Sequence, residues 1–217
     1  METRRFVVFT GLWPQGASSE KISKTEPDDF IACADSGYAL CKSAGVRPDI
    51  VIGDFDSLSC ELISEIESLG IECIKHDPEK NDTDTMLCVK YGLAHGYEKY
   101  LIIGGIGGDF GHTMANLQVL SFLADMECEA AIETGSESIF ICDRKQESIF
   151  SGRPGAKFSV LSYAERSTGV YVKNAKYELE DAVLTHSYPI GVSNVFISPE
   201  PVSVSVRTGR LLVITDR

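Results

Sequence analysis

Short apolar runs and amphipathic stretches alternate along the first two-thirds of the chain. Phe6–Thr10, Phe30–Ala34, Asp49–Gly53, Ile71–Lys75, Tyr100–Gly104 and Ala130–Glu133 are brief runs of β-branched and apolar residues, the pattern of strands buried on both faces. Between them the period changes to that of a helix. From about Ser59, Leu62, Ile63, Ile66 and Leu69 share one face, and Gly70 supplies a C-terminal stop. A second helix is predicted from about Asp82 to His95, burying Met86, Val89 and Leu93 ahead of Gly96, and a third after His112 with Met114, Leu117 and Leu120. Strand and helix in alternation predict an α/β fold whose N-terminal domain is a doubly wound, mainly parallel sheet.

Beyond about Gly135 the helical period disappears. Val202-Ser203-Val204-Ser205-Val206 alternates strictly, Arg207–Arg210 reads as a turn, and Leu211–Ile214 follows, so a hairpin is expected here. Ser138–Cys142, Phe158–Leu161 and Gly169–Lys173 read as further short strands set apart by Gly and Pro. The expected organisation is therefore an α/β domain over 1–135 and an all-β domain over 136–217, with Thr134–Ser138 as the boundary.

Composition narrows the class of partner. Net charge is −12 with the acids dispersed, and no basic cluster is present to displace counterions from a duplex, so no nucleic-acid partner is expected. A negative protein that handles a polyanion needs cations in between. No apolar run reaches the roughly 20 residues of a membrane helix, and Arg4-Arg5 precede only Phe6–Phe9, too short a core for a signal peptide. No membrane contact and a cytoplasmic location are expected. The seven cysteines are odd in number, scattered and free of any Cys-x-x-Cys pair, which suits buried thiols in a reducing compartment better than disulfides or a zinc ribbon.

Ligands of parallel sheets bind outside the carboxyl ends of the strands, and four of the strand ends here are loaded with chemistry. They read Ala34-Asp35-Ser36-Gly37, Gly53-Asp54-Phe55-Asp56-Ser57, His76 through Asn81-Asp82-Thr83-Asp84, and Gly104 through Gly111-His112. Asp35, Asp54, Asp56, Asp82 and Asp84 should converge on one edge. Carboxylates that close repel by about 4 kcal/mol per pair at 4 Å and an effective dielectric of 20, so they call for a cation or for raised pKa values. Oxygen-only donors favour Mg²⁺ over zinc, and a glycine-rich loop leading into a helix offers N–H groups to phosphate oxygens. Taken singly, each piece also suits a structural role: Asp82 and Asp84 as helix-start acids, Asp-x-Asp-Ser as an Asx turn, the paired glycines as a tight turn, and His112 as a polar helix-start residue.

The series Ala34–Gly37, Pro48-Asp49 ahead of Gly53–Ser57, Lys80–Asp84, Gly104–Thr113 with Ala115-Asn116, and Gly191-Val192-Ser193-Asn194 resembles thiamine pyrophosphokinase in order and spacing over nearly the whole chain. The resemblance implies a C-terminal β-sandwich, a homodimer with thiamine bound between subunits, and transfer of pyrophosphate from ATP to thiamine's hydroxyl with Mg²⁺, releasing AMP. It implies that Asp35, Asp54, Asp56 and Asp82 or Asp84 gather metal and phosphates, that Asp82 or Asp84 accepts the hydroxyl proton, that Lys80, Thr83, Gly107, Gly108 and His112 lie along the nucleotide, and that Ser193 and Asn194 hold thiamine. Two departures stand out. Asp35-Ser36-Gly37 replaces Gly-Asp-Gly-Gly, and Gly107-Gly108-Asp109-Phe110-Gly111-His112 replaces Gly-Gly-Arg-x-Asp-His. A carboxylate beside triphosphate opposes binding, so Asp109 is expected to turn away or meet a cation. Two alternatives remain at this stage: a non-catalytic binder of thiamine or thiamine pyrophosphate, and an Asp-x-Asp phosphatase, whose strand-to-Asp54 pattern is similar to that of the haloacid-dehalogenase type.

Overall fold

The structure, a computed structural model, describes residues 4–14, 22, 25–77, 81–144 and 147–216; its contacts divide the chain into two compact units, Met1–Gly135 and Ser136–Arg217. In the first, strands β1 (Arg5–Phe9), β2 (Phe30–Ala34), β3 (Ile50–Gly53), β4 (Glu72–Lys75), β5 (Lys99–Ile103) and β6 (Glu129–Glu133) run in the order β4-β3-β2-β1-β5-β6. Every neighbouring pair is parallel.

Both faces of this sheet are covered, which is why its strands are apolar without alternation. Val7, Phe9, Ile31, Cys33, Val51, Leu101 and Ile103 pack on one face with Tyr38 and Cys41 of α1 (Gly37–Ser43) and Ile66 of α2 (Cys60–Ser68). On the other, Phe6 and Phe30 stack at 5.4 Å and join Tyr91 of α3 (Asp84–Ala94), Tyr97 and Tyr100. Gly92 of α3 is required there, since a Cβ would sit 2.8 Å from the Tyr100 hydroxyl. Helix α3 lies on β1, β2 and β3, and α4 (Phe110–Asp125) lies on β6. The seven-residue α1 carries no amphipathic run long enough to announce it in the sequence.

Two helix starts differ from the expected ones. Helix α4 begins at Phe110, ahead of His112, because Asp109 caps it. The cap of α3 is Thr83, whose hydroxyl accepts the Met86 N–H at 3.2 Å, leaving Asp84 as the first-turn acid and Asp82 outside the helix. Ser59 caps α2 as expected.

The second unit is a sandwich of two antiparallel sheets. Its strands are β7 (Glu137–Asp143), β8 (Ser148–Phe150), β9 (Lys157–Ser162), β10 (Arg166–Lys173), β11 (Leu179–Thr185), β12 (Asn194–Val195), β13 (Val202–Ser205) and β14 (Arg210–Asp216). One sheet is β12-β9-β14-β7 and the other β11-β10-β13-β8. Phe158, Val160, Leu211 and Val213 of the first sheet meet Val170, Val172, Val202 and Val204 of the second in one core.

The expected hairpin between Val202–Val206 and Leu211–Ile214 does not form. Strand β13 pairs with β10 and β8, whereas β14 pairs with β7 and β9. Strict alternation fixes which side chains face inward, and both strands do face the same core, but it is silent on which sheet each joins. The intervening Arg207–Gly209 turn carries the chain from one sheet to the other, with Gly209 at φ 88° passing so close that a Cβ would lie 2.6 Å from the Arg166 carbonyl. Strand β11, with Glu180, Asp181 and Val183 exposed and Leu184 alone buried, lacks the apolar pattern that marks the others.

Candidate active site

Strand β1 stands between β2 and β5. The chain steps outward from β1 to β4 on one side and returns to β5 on the other, so the carboxyl ends of β1 and β5 flank the point where the winding reverses, the usual place for a ligand crevice in such sheets. The backbone is drawn tight there: Thr10 N–H donates to the Ile103 carbonyl at 3.1 Å and Gly105 N–H to the Leu12 carbonyl at 2.8 Å.

Just past β2 and β3, Asp35, Asp54 and Asp56 bring carboxylate oxygens within 4.8 Å of one another, the group among the described residues able to hold a metal ion. Their placement is built into the backbone. Asp35 and Phe55 have positive φ (44° and 66°) although neither is glycine, a strain that needs surrounding structure to hold it. Gly53 permits the approach, since a Cβ there would stand 2.8 Å from the Asp35 Cβ. The Asp56 N–H donates to Asp54 Oδ1 at 3.2 Å, and the Ser57 hydroxyl donates to Asp56 Oδ1 at 2.9 Å.

Electrostatics mark Asp35 in particular. Its side chain is buried, and Oδ1 has no hydrogen-bond partner. Burial pushes its carboxyl above the ordinary range; Ser57 and the Ser36 N–H oppose that, while the charges of Asp84 and Asp54 add to it. A buried acceptor without a donor is costly. Three convergent carboxylates with one orphaned oxygen make an all-oxygen donor set of the kind that Mg²⁺ takes.

The other expected site residues divide. Asp84, at the start of α3, lies close enough to act on Asp35. Asp82 does not join the cluster: Lys90 Nζ holds its carboxylate at 2.6 Å, a pairing that follows from Asp82 lying one residue outside the helix cap. Thr83 spends its hydroxyl on that cap. Lys80 lies outside the described residues. Gly107 and Gly108 occupy the loop after β5 with φ of 106° and 63°. That loop is pinned from α4, where the Thr113 hydroxyl meets the Gly107 N–H at 3.1 Å and the buried Asn116 donates to the Gly105 carbonyl at 2.8 Å. Asp109 meets no cation from Lys or Arg among the described residues; Oδ1 accepts the His112 N–H at 3.0 Å and lies 3.2 Å from His112 Nδ1. That backbone N–H, with the His112 ring and the Gly111 N–H, holds the Asp109 carboxyl below the usual carboxylate range.

In the second unit, Ser193 is exposed at φ 60°. Asn194 is buried, and its amide is bonded to backbone at both ends: Oδ1 accepts from Tyr177 N–H at 3.0 Å and Val195 N–H at 2.8 Å, while Nδ2 donates to the Tyr177 carbonyl at 2.7 Å. The amide therefore splints two backbone segments, next to the exposed Ser193. Thr113 and Asn116 are the contributors that strand-end reasoning on its own passes over; a polar residue spaced three or more positions into the helix after a glycine run is the signal that could find them.

Comparison with known proteins settles the family. The catalytic-domain profile of thiamin pyrophosphokinase matches residues 23–132, and the vitamin B1 binding domain profile matches 143–211. The chain belongs to the thiamin pyrophosphokinase family. As a member it is an enzyme that transfers pyrophosphate from ATP to thiamine. Thiamine pyrophosphokinase 1 of Oryza sativa subsp. japonica is 22% identical over 180 residues, covering 79% of this chain and 67% of the relative. That of Caenorhabditis elegans is 24% identical over 163 residues, covering 68% and 62%, so the chain spans about two-thirds of these relatives' lengths. Among solved structures, the thiamine pyrophosphokinase of Bacillus subtilis superposes with a TM-score of 0.85 at 20% identity, covering 98% of this chain and 99% of the other. The yeast enzyme gives 0.78 at 15%, covering 100% and 87%. At such identities the superpositions speak for the fold of the thiamin pyrophosphokinase family, an α/β unit followed by a β-sandwich.

Proposed function

We propose that Asp35, Asp54 and Asp56 form the centre at which this chain passes pyrophosphate from ATP to thiamine, and that they do so around Mg²⁺. The observation that carries the reading is the convergence of three carboxylates on one sheet edge with a buried, unpartnered oxygen on Asp35. Bound there, Mg²⁺ would neutralise phosphate charge and act as a Lewis acid on phosphate oxygens. The protein's own part is to hold geometry. Asp54 and Asp56, kept on one loop by the Asp56 N–H contact, and Asp35, buried beneath, present a fixed anionic floor. The Gly107-Gly108 loop, pinned by Thr113, lines the way to the phosphates, and His112 stands at its helical end.

The nucleophile is thiamine's primary hydroxyl, attacking the β-phosphorus as AMP departs. Asp84 is the acid we assign to take up the hydroxyl proton. It lies near the cluster, whereas Asp82 is held by Lys90. Positioning and charge neutralisation supply most of the acceleration, as in phosphoryl transfer generally. The cationic thiazolium suits a protein of net charge −12.

A homodimer is supported by apolar side chains left exposed on the second unit, Tyr177, Tyr188, Ile190, Val192 and Ile197. We place the protein in the cytoplasm, which is in keeping with the absence, among the described residues, of a helix long and apolar enough to cross a membrane.

The deciding experiment incubates the protein with thiamine, ATP and Mg²⁺ and assays AMP and thiamine pyrophosphate together. Equimolar formation of both is expected. Inorganic phosphate without AMP would mean a phosphatase, and thiamine binding without turnover a degenerate binder.

A further inference from the structure

Four consecutive N–H groups, those of Gly104 to Gly107, lie along the turn that leaves β5, and the fold commits three of them. Gly104 N–H donates to the Glu133 carbonyl at 2.9 Å, Gly105 N–H to the Leu12 carbonyl at 2.8 Å and Gly107 N–H to the Thr113 hydroxyl at 3.1 Å. The Ile106 N–H meets no acceptor among the described residues, although the residue is half-buried. Backbone donors in such surroundings are ordinarily paired. The direction of this one is set from α4. In a trans peptide the carbonyl of one residue and the N–H of the next point to opposite sides of one plane. Asn116 donates from Nδ2 to the Gly105 carbonyl at 2.8 Å, so the Ile106 N–H points away from Asn116. Gly105 allows the contact: its φ is 77°, and a Cβ there would stand 3.3 Å from Asn116 Nδ2. The amide is also out of character for its place, since the other buried residues of α4 are Val119, Leu120 and Leu123.

The carboxyl edge of the parallel sheet thus carries two unmet groups of opposite kind, the donor of Ile106 past β5 and the buried Asp35 Oδ1 past β2. A polyphosphate carrying a divalent cation answers both, with its cation for the carboxylate and an oxygen for the N–H. Resting on the reading that ATP's phosphates enter at this edge, we infer that the Ile106 N–H donates to a phosphate oxygen and that Asn116 is its positioning residue, holding the Gly105–Ile106 peptide so that this donor faces the nucleotide. Neighbouring contacts leave the peptide little freedom to turn. Gly105 is tied through both its N–H and its carbonyl, and Thr113 ties the N–H of Gly107 on the far side. A donor fixed before the nucleotide arrives needs no reorganisation when it binds.

The test reads the donor itself. In isotope-labelled wild type, amide exchange followed by NMR should be fast at Ile106 and slow at Gly105 and Gly107. Adding α,β-methylene-ATP, which cannot release AMP, together with Mg²⁺ should slow exchange at Ile106 by at least about tenfold. N116L keeps the side-chain volume but gives the Gly105 carbonyl no donor, so the Kd for the analogue should rise by about tenfold, the scale of one hydrogen bond to a charged group. In turnover the KM for ATP should rise with it while the KM for thiamine holds, a split that a role in packing alone would not produce. Should N116L fold poorly, the exchange measurement on wild type still decides. An Ile106 amide that exchanges as fast with the analogue bound overturns the inference, and so does an N116L variant that binds the analogue as wild type does. Wild type that does not bind the analogue at all overturns the reading of the site and this inference together. Protection of Ile106 in a protein that forms no AMP would sink the assigned reaction and leave this inference supported.

Discussion

Asp35 in the first unit and Asn194 in the second are both buried polar residues at candidate binding positions, yet the fold treats them in opposite ways. Asp35 is held in a strained backbone conformation with an oxygen left without a partner and with like charges nearby. Asn194 has both ends of its amide bonded to the Tyr177 backbone. The first residue is destabilised by its surroundings and the second is bonded into them. Unmet demand therefore separates a group held ready for a ligand from one that shapes the scaffold, and residue type and position alone do not.

That contrast can be broken most directly at the aspartate cluster. D54N and D56N should each lower turnover by at least about 10²-fold, or about 2.7 kcal/mol of transition-state stabilisation, with thermal melting little changed. Near-normal turnover in either would remove the metal assignment. N194A should behave in the reverse sense. Losing the amide leaves the part-buried Tyr177 N–H and carbonyl without their partner, at a cost of about 1 kcal/mol, seen as a drop in melting temperature. Any rise in the KM for thiamine should follow from that loss of shape and leave the KM for ATP alone. A variant that melts like wild type but fails to bind thiamine would mark Asn194 as a direct ligand.

The smallest effect sharpens the comparison at Asp35. Its carboxyl is raised in the folded protein, chiefly by burial. A carboxyl whose folded pKa exceeds its unfolded value favours folding when protonated; that contribution is present below the ordinary Asp range of about 3.9 and is lost as pH rises through the raised value. At neutral pH, without metal, the ionised group is then a net cost. D35N should therefore raise the melting temperature of metal-free protein at pH 7 while abolishing turnover, and Mg²⁺ should stabilise wild type more than D35N. A D35N variant less stable than wild type in chelator would contradict this account.

The sequence was most legible where burial is two-sided. The strands of the parallel sheet stand out as unbroken apolar runs, and their ends bring Asp35, Asp54 and Asp56 together as the strand-end rule requires. What could not be read depended on single contacts. Asp82 and Asp84 are two residues apart, and only the cap at Thr83 decides that one meets Lys90 while the other acts on Asp35. The role of Asp109 as a cap rests on a helix beginning two residues before His112. The missed hairpin shows a different gap: the alternation of Val202, Val204 and Val206 reports a face, and a sandwich offers two sheets with inward faces. The Asn194 splint involves Tyr177, a partner that no local pattern couples to it.

Strand β14 lies between β7 and β9, whose residues come far earlier in the chain. On the ribosome, then, β7 and β9 emerge as strands with open edges and no route to each other, and that sheet can close only once Arg210–Asp216 has been made and threaded between them. Pairing across such separations is slow, and exposed edges invite association with other nascent chains. Translation that stopped shortly before Arg210 would leave the parallel-sheet unit with all of its strands and the sandwich without the one that joins its halves, a product fit for chaperone capture rather than for half of the enzyme's work.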